Sequence, residues 1–136
     1  MFKTVLFPID QTRESRHAAE IVTSLVKTYD SKLILLSVVE SPEDRLGDSE
    51  PEMTSPEAIA KLLETARALF KDEGIETEVL EKQGVPAFVI CDVADELDTD
   101  LIVMGSRGIG LTDEGLSDSV SNRVINLSPC PVLIVP

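Results

Sequence analysis

The residues best suited to binding a ligand form a glycine-rich segment at 105–110, GSRGIG, directly after the apolar run LIVM at 101–104. Residues without a Cβ let backbone N–H groups approach a ligand or fold back tightly. A helical pattern begins near Asp118 or Ser119. Strand, glycine loop and helix N-terminus in this order are how α/β proteins bind phosphate at the carboxyl edge of a sheet. Turn geometry alone also favours glycine after a strand, and that simpler interpretation stays open.

Asp10 directly follows the first apolar run, residues 4–9. This position places its carboxylate at the same carboxyl edge of the predicted sheet as the glycine segment, where it can accept hydrogen bonds from ribose hydroxyls. Asp is also a favoured N-cap, and Asp10 is placed to cap a helix that begins near Thr12. The two roles are compatible, and both remain open.

Other catalytic and metal-binding chemistry is not supported. His17 is the only histidine, and no Cys-x-x-Cys accompanies it, so a metal site is not predicted. Ser106 lacks the Gly-x-Ser-x-Gly spacing of a nucleophile elbow. Four carboxylates lie close together in sequence: Asp92, Asp95, Asp98 and Asp100. Helical spacing places them on different faces, which indicates a solvated surface. We predict no catalytic residue.

Composition limits the partners of this chain of 136 residues, which is one domain by length. A formal charge of −13 disfavours nucleic acid and anionic membranes. No apolar run approaches the length of a bilayer span, and no secretory leader precedes the first strand. Cys91 and Cys130 fall in apolar patterns, which favours buried free thiols and a cytoplasmic location.

The hydrophobic pattern alternates between strands and helices from end to end. Strands are predicted at 4–9, 32–39, 77–80, 101–104 and 132–135, and helices at 12–29, 54–73, 86–97 and from 118 or 119 to 127. Runs as apolar as these need burial on both faces, so we predict a doubly wound, mostly parallel five-stranded sheet with helices on both sides. Ligands usually bind such a sheet in the crevice where its strand order reverses.

Three further expectations concern the surfaces of these elements. The acidic segment at 40–53 carries six carboxylates and two prolines, which predicts a mobile loop or a lid over the neighbouring strand end. Charged residues flanking 77–80 predict a sheet edge. The second helix should bury one stripe of side chains: Ile59, Leu62, Leu63, Ala66, Leu69 and Phe70.

The chain resembles the universal stress protein family over nearly its whole length. The resemblance is most specific in GVPAFVICDVADELDTDLIVMGSRG at 84–108 and SVSNRVINLSPCPVLIVP at 119–136. Asp10, with Ser15 beyond it, is similar to the family's opening motif. The resemblance implies a single domain over 1–136, an adenine-nucleotide α-hydrolase-like fold with strand order 3-2-1-4-5, and a homodimer. It also implies a stress-response role, with one branch of the family binding ATP and another not.

The family's nucleotide motif is Gly-x-x-Gly, nine residues, then Gly-Ser or Gly-Thr. Gly105 and Gly108 match the first pair and Ser119 matches the last position, but Asp118 replaces the third glycine, directly before Ser119. A carboxylate facing phosphate costs on the order of a few kcal/mol at an effective dielectric near 20. Either Mg²⁺ bridges the carboxylates and the phosphates, or the site has lost ATP and keeps at most the adenosine part.

Carried over position by position, the resemblance implies a nucleotide site of eight residues in this chain. Adenine and ribose would contact Pro8, Asp10 and Val38, with Met104 and Gly105 beneath the nucleotide, and the phosphates would lie against Gly108, Ser119 and Val120. None of these is a strong base or nucleophile, so at most slow ATP hydrolysis is expected. We therefore expect an adenine-nucleotide-binding stress module, or alternatively a homodimeric interaction protein that does not bind ATP.

The last strand, residues 132–135, is apolar throughout and has no charge to block its edge. Such an edge favours pairing with a second copy about a two-fold axis. The family often builds its dimer with this strand, so both arguments predict a homodimer there. Coverage of the strand within the monomer is the alternative.

Overall fold

The computed structural model describes residues 2–9, 13–39, 56–105 and 120–136, without the side chains at 13–16, 56, 58 and 59. The acidic segment at 40–53 lies outside the described residues, so the predictions made for it stay predictions.

The described residues form one parallel sheet of five strands in the order β3-β2-β1-β4-β5. Its strands are β1 (Thr4–Pro8), β2 (Lys32–Val39), β3 (Thr77–Gln83), β4 (Leu101–Gly105) and β5 (Val132–Val135). β1 lies at the centre because the chain winds outward from it in one direction to β3 and in the other to β5. The predicted doubly wound fold and its strand order are confirmed.

Four helices cover the two faces of the sheet: α1 (Arg13–Tyr29), α2 (Pro56–Asp72), α3 (Pro86–Glu96) and α4 (Val120–Leu127). Side chains of α1 and α2 pack with alternate residues of the strands, including Val5, Phe7 and Leu35. Those of α3 and α4 pack on the other face with Leu6, Ile34 and Ile102. Because successive strand residues point to opposite faces, the continuous aliphatic runs fill both layers.

The core is mainly aliphatic, and Phe7 and Phe70 are buried within it. Leu33 through Leu36 are at most 1% exposed, as a strand covered on both faces requires. Phe7 and Phe70 meet edge to face at 6.3 Å between ring centroids, which joins β1 to α2. Full burial of an aliphatic side chain contributes about 1.5–3 kcal/mol, so these four residues of β2 stabilise the packing on both faces of the sheet.

Two sequence predictions about these elements were wrong. β3 continues to Gln83 instead of ending at Leu80, because its backbone pairs with β2 as far as Val39–Gln83 while the charged side chains stay exposed at the sheet edge. On α2, Leu69 is 61% exposed, whereas Leu63 and Phe70 are buried. One residue along a helix rotates a side chain by about 100°, which carries Leu69 out of the buried stripe.

Helices α1, α2 and α3 end in the same way, with one residue in the left-handed conformation. These residues are Asp30 at φ 53°, Gly74 at φ 79° and Asp98 at φ 50°. In each case the next N–H donates to a carbonyl five residues earlier, as from Thr99 to Ala94 at 2.9 Å. Asp tolerates this conformation better than most residues with a Cβ, so it can stand where glycine is usual. The chain therefore leaves each of these helices at a defined angle toward the following strand.

Gly84, between β3 and α3, has a second unusual conformation, with φ at 145°. Its N–H donates to the C=O of Val39 at 2.9 Å. A Cβ at Gly84 would lie 2.8 Å from Cγ2 of Val89, whereas a Cβ at Gly74 would meet nothing within 4 Å. Gly84 thus approaches Val89 of α3 closely, while its N–H binds the end of β2.

We expect Gly84→Ala to destabilise the protein by about 3 kcal/mol or more, because strain and a steric clash combine. Gly74→Ala is the matched control and should cost only about 1 kcal/mol, the cost of the left-handed conformation less the entropy removed from the unfolded chain. Urea denaturation of both variants measures the difference. An equal decrease in the free energy of unfolding for both variants would contradict the role of the Val89 contact.

Candidate functional site

The candidate site lies at the carboxyl ends of the central strands. The strand order reverses at β1, whose neighbours are β2 on one side and β4 on the other. Connections to the flanking helices leave from this edge, and the crevice outside it is where open α/β sheets bind ligands. The carboxyl ends of β1, β2 and β4 therefore define the crevice.

Pro8 ends the pairing between β1 and β4. The pairing of these strands covers Val5–Leu101 and Leu6–Ile102. The C=O of Thr4 accepts from the N–H of Asp100 at 2.9 Å, so the backbone groups of alternate residues, including Pro8, face β4. Proline has no N–H, and the ladder cannot continue through it. Beyond Leu6–Ile102, β1 therefore has no N–H at Pro8 to donate to β4.

The backbone of Val38 faces the crevice from β2. Lys32 donates to the C=O of Lys3 at 2.7 Å, and the C=O of Leu36 accepts from Ile9 at 2.8 Å, so even-numbered residues of β2 face β1. Pairing of β1 with β2 ends at Pro8–Leu36. The N–H and C=O of Val38 therefore point toward the line along which β1 would continue. The C=O of Val39 points the other way, toward Gly84.

Gly105 approaches the crevice from β4. Ile102 donates to the C=O of Pro131 at 3.0 Å, so even-numbered residues of β4 face the β5 side. Gly105, as an odd-numbered residue, directs its N–H and C=O toward the β1 side, beyond the last paired residue. Backbone donors and acceptors thus border the crevice on two sides.

Apolar side chains form one wall of the crevice. Val38 and Val120 are half-buried and pack against the apolar cluster under α3 and α4, of which the buried Met104 is a member. Strand alternation places Pro8 on this same face, above Leu6. A flat apolar group entering the crevice would contact these side chains.

The structure brings together five of the eight predicted site residues at this edge: Pro8, Val38, Met104, Gly105 and Val120. The other three, Asp10, Gly108 and Ser119, lie outside the described residues, as does Asp118. Their roles stay predictions. The described residues contain no group of three or more His, Cys, Asp or Glu side chains that could hold a metal ion. His17 is exposed on α1, and its Nδ1 lies 4.0 Å from Glu20.

Sequence reasoning missed the contribution of Gly84 to this edge. Its N–H, donated to the C=O of Val39, holds the end of β2 beside β3 and leaves Val38 directed at the crevice. The Gly-Val-Pro triplet before α3 indicates a turn with an unusual backbone conformation. The partner of that N–H lies in a distant part of the chain and could not be identified from the triplet.

A doubly wound parallel sheet with a crevice at its order reversal defines the class of α/β proteins that bind ligands at the carboxyl edge of the sheet. The family model described as "Universal stress protein family" matches residues 1–136. Universal stress protein Sll1654 of Synechocystis is 59% identical over the whole chain and 87% of that relative's length. This chain belongs to the universal stress protein family.

Solved structures agree with this assignment. A universal stress protein crystallised in complex with cAMP superimposes with a TM-score of 0.78, at 27% identity, over 98% of this chain and 97% of its own. The universal stress protein from Archaeoglobus fulgidus in complex with dAMP gives a TM-score of 0.72 over all of both chains. Its 23% identity supports the fold alone. In the described parts of this chain, no helix combines the length and apolar character that a bilayer crossing needs.

Proposed function

We propose that this protein binds an adenine nucleotide in the crevice between β1 and β4, as a stress-response module. The observation that carries the proposal is the backbone of Val38, whose N–H and C=O both face the crevice. Adenine offers an acceptor at N1 and a donor at the 6-amino group, which complement such a pair. The family relative in complex with cAMP supports an adenine ligand.

The remaining parts of the nucleotide would extend toward Asp10 and the start of α4. Asp10 follows β1 by two residues, a suitable position for accepting hydrogen bonds from ribose. Gly108 and Ser119 precede α4, which begins at Val120. The N–H groups of a first helical turn attract phosphate, and this supports the assignment of the phosphates to that end.

We further propose that Asp118 weakens the binding of ATP. Its carboxylate replaces a motif glycine, and the chain carries a net charge of −13 that also repels a polyphosphate. AMP carries less negative charge than ATP and should lose less affinity. Mg²⁺ should restore part of the affinity for ATP, because it binds carboxylate and phosphate oxygens together. With no strong base or nucleophile among the predicted site residues, hydrolysis of ATP should be slow at most.

Binding of AMP and IMP tests the role of Val38. Hypoxanthine reverses the donor and acceptor at N1 and at position 6, so IMP should bind at least about tenfold more weakly, since each unmet buried hydrogen bond costs ~1–3 kcal/mol. Val38→Pro, which removes the N–H, should reduce this discrimination, whereas Val38→Ala keeps the N–H and is the control. Calorimetry gives the affinities, and circular dichroism checks the fold. Equal affinities for AMP and IMP would contradict the base assignment.

Binding of ATP to variants of Asp118 tests the carboxylate. We expect Asp118→Gly to tighten ATP binding by about 10–100-fold, because removal of the charge is worth a few kcal/mol at most. Asp118→Asn removes the charge but keeps the bulk, and should recover most of the gain if repulsion dominates. Calorimetry with and without Mg²⁺ measures each case. Equal, tight binding by the wild type and both variants would refute the proposal for Asp118.

The second candidate is a homodimeric interaction protein that does not bind ATP, and β5 supports its dimer. β5 is the last strand of the sheet, and Leu133 on it is 36% exposed. Ile125 and Leu127 on the neighbouring helix α4 are 52% and 48% exposed. An apolar strand edge beside exposed apolar side chains is a suitable surface for a second copy. A dimer is compatible with either candidate function, so nucleotide content decides between them.

Sedimentation or light scattering tests the dimer. Leu133→Lys should convert a dimer to a monomer, because two like charges would meet across the two-fold axis. Leu69→Lys is the control, since Leu69 is 61% exposed on α2, which packs on β2 and β3 at the other edge of the sheet, and should leave the dimer intact. A monomeric wild type, or a dimer in both variants, would contradict an interface at β5.

We keep a cytoplasmic location as part of the proposal, since Cys91 and Cys130 are both free.

A further inference from the structure

The outer edge of β3 carries backbone groups that pair with no other strand of the described sheet. β3 is the end strand, beside β2. The N–H of Gly84 donates to the C=O of Val39, and the register with β2 is constant along β3, so even-numbered residues of β3 face β2. The N–H and C=O groups of the odd-numbered residues point outward and have no backbone partner among the described residues: Thr77, Val79, Glu81 and Gln83.

The side chains of β3 divide between the two faces of the sheet. Leu80 packs against the apolar cluster under α3 and α4, whereas Val79 packs against the one under α1 and α2. Strand alternation then puts Glu78 and Lys82 on the same face as Leu80. Both charged residues are exposed. This face of the strand therefore presents a negative, an apolar and a positive side chain in order.

The charged side chains of this face keep capacity for a further partner. Oε2 of Glu78 lies 3.0 Å from Nζ of Lys32. This pair is exposed, with 44% of the Glu78 side chain open to solvent, so a second cation can approach the carboxylate. Lys82 has no ion-pair partner in the part of the chain that the structure describes. Its ammonium group can therefore pair with a carboxylate from outside the chain.

A second copy of β3, running antiparallel, matches this edge. The outward backbone groups belong to odd-numbered residues, so hydrogen-bonded pairs across a two-fold axis must join odd to odd. An axis at Leu80 meets this condition and pairs residues 77–83 along their full length. In that register Glu78 of each copy lies opposite Lys82 of the other. Opposite charges on facing residues stabilise an antiparallel pair.

Neighbouring registers with the same hydrogen-bond parity are less favourable. An axis at Glu81 places that carboxylate opposite its own copy, which is destabilising. An axis at Val79 moves Lys82 opposite Glu76, which precedes the strand, so the last two residues of β3 lie beyond the paired strand. The charges therefore select the register centred at Leu80, and they also oppose the addition of an unrelated apolar strand.

We propose that the β3 edge is an interface between copies of this chain, formed by antiparallel pairing about a two-fold axis at Leu80. A single strand edge is small beside the ~1,200–2,000 Å² of a stable complex, and each copy carries a charge of −13. Association at β3 is therefore weak and appears at high protein concentration. It is separate from the dimer proposed at β5, which is the opposite edge of the sheet. Copies joined at both edges form a chain of alternating interfaces.

Charge variants test the pairing, with light scattering at increasing protein concentration as the measure of association. Glu78→Lys should weaken association about tenfold, because both facing pairs then consist of two ammonium groups. Glu81→Lys is the matched control. It changes the net charge by the same amount on the other face of the strand, and should not weaken association. Both variants are less negative than the wild type, so general repulsion between copies cannot explain the difference.

Mixing two single variants gives a signature of this register. Lys82→Glu alone should associate weakly, because two carboxylates face each other in both pairs. An equal mixture of Lys82→Glu and Glu78→Lys should associate at least as strongly as the wild type, since every facing pair then has opposite signs. A wild-type mass that does not rise with concentration would overturn the proposal. So would equal weakening by Glu78→Lys and Glu81→Lys, or a mixture that associates no better than its components.

A cysteine substitution at the two-fold axis tests the register directly. Facing residues of a non-hydrogen-bonded pair have Cβ atoms about 5 Å apart, close enough for a disulfide to form. Oxidation of concentrated Leu80→Cys protein should give a linked dimer, in which peptide mapping finds residue 80 joined to its own copy. Gln83→Cys is the control, since residue 83 lies opposite Thr77. Linking by Gln83→Cys that equals or exceeds that of Leu80→Cys, or no linking by either, would refute the pairing at Leu80.

Discussion

The geometry of the candidate site depends on one missing hydrogen-bond donor at the centre of the sheet. Pro8 stands where the backbone of β1 faces β4, and its lack of an N–H ends the ladder above Leu6–Ile102. Pairing of β1 with β2 ends at Pro8–Leu36, two residues before Val38. The strands that continue, β2 and β4, become the walls of a crevice whose floor is the end of β1.

Rigidity of these walls comes from packing at a distance from the crevice. The side chains of Leu33 to Leu36 are at most 1% exposed, on the strand that ends at Val38 and Val39. Gly84 donates its N–H to Val39 at the end of that strand, and its positive φ and its close approach to Val89 favour a residue without a Cβ. Exposed ion pairs such as Lys27–Glu73, at 2.8 Å, add little, because water screens them. Aliphatic burial and backbone bonds therefore hold the crevice open.

The crevice suits the base of a nucleotide better than its charged phosphates. Its described walls are backbone groups and apolar side chains, which suit a flat base. The acidic character of the chain, with 25 acidic and 12 basic residues, opposes each added phosphate. The proposed preference for a nucleotide of low charge follows from this contrast.

Much of the fold was determined by local sequence. The apolar runs at 32–39 and 132–135 leave no polar strand face for solvent, and the segments between them show helical periodicity. Strand and helix periods of 2 and 3.6 residues make these patterns specific, and together they require a parallel, doubly wound sheet. Among the predicted site residues, Pro8, Val38 and Met104 came from the family resemblance, position by position. Only the tertiary structure decided that β3 extends to Gln83, that Leu69 is exposed, that Gly84 holds Val39 and that Cys91 and Cys130 share one cluster. Each of these depends on a partner far along the chain, and local periodicity carries no information about which distant residue that partner is.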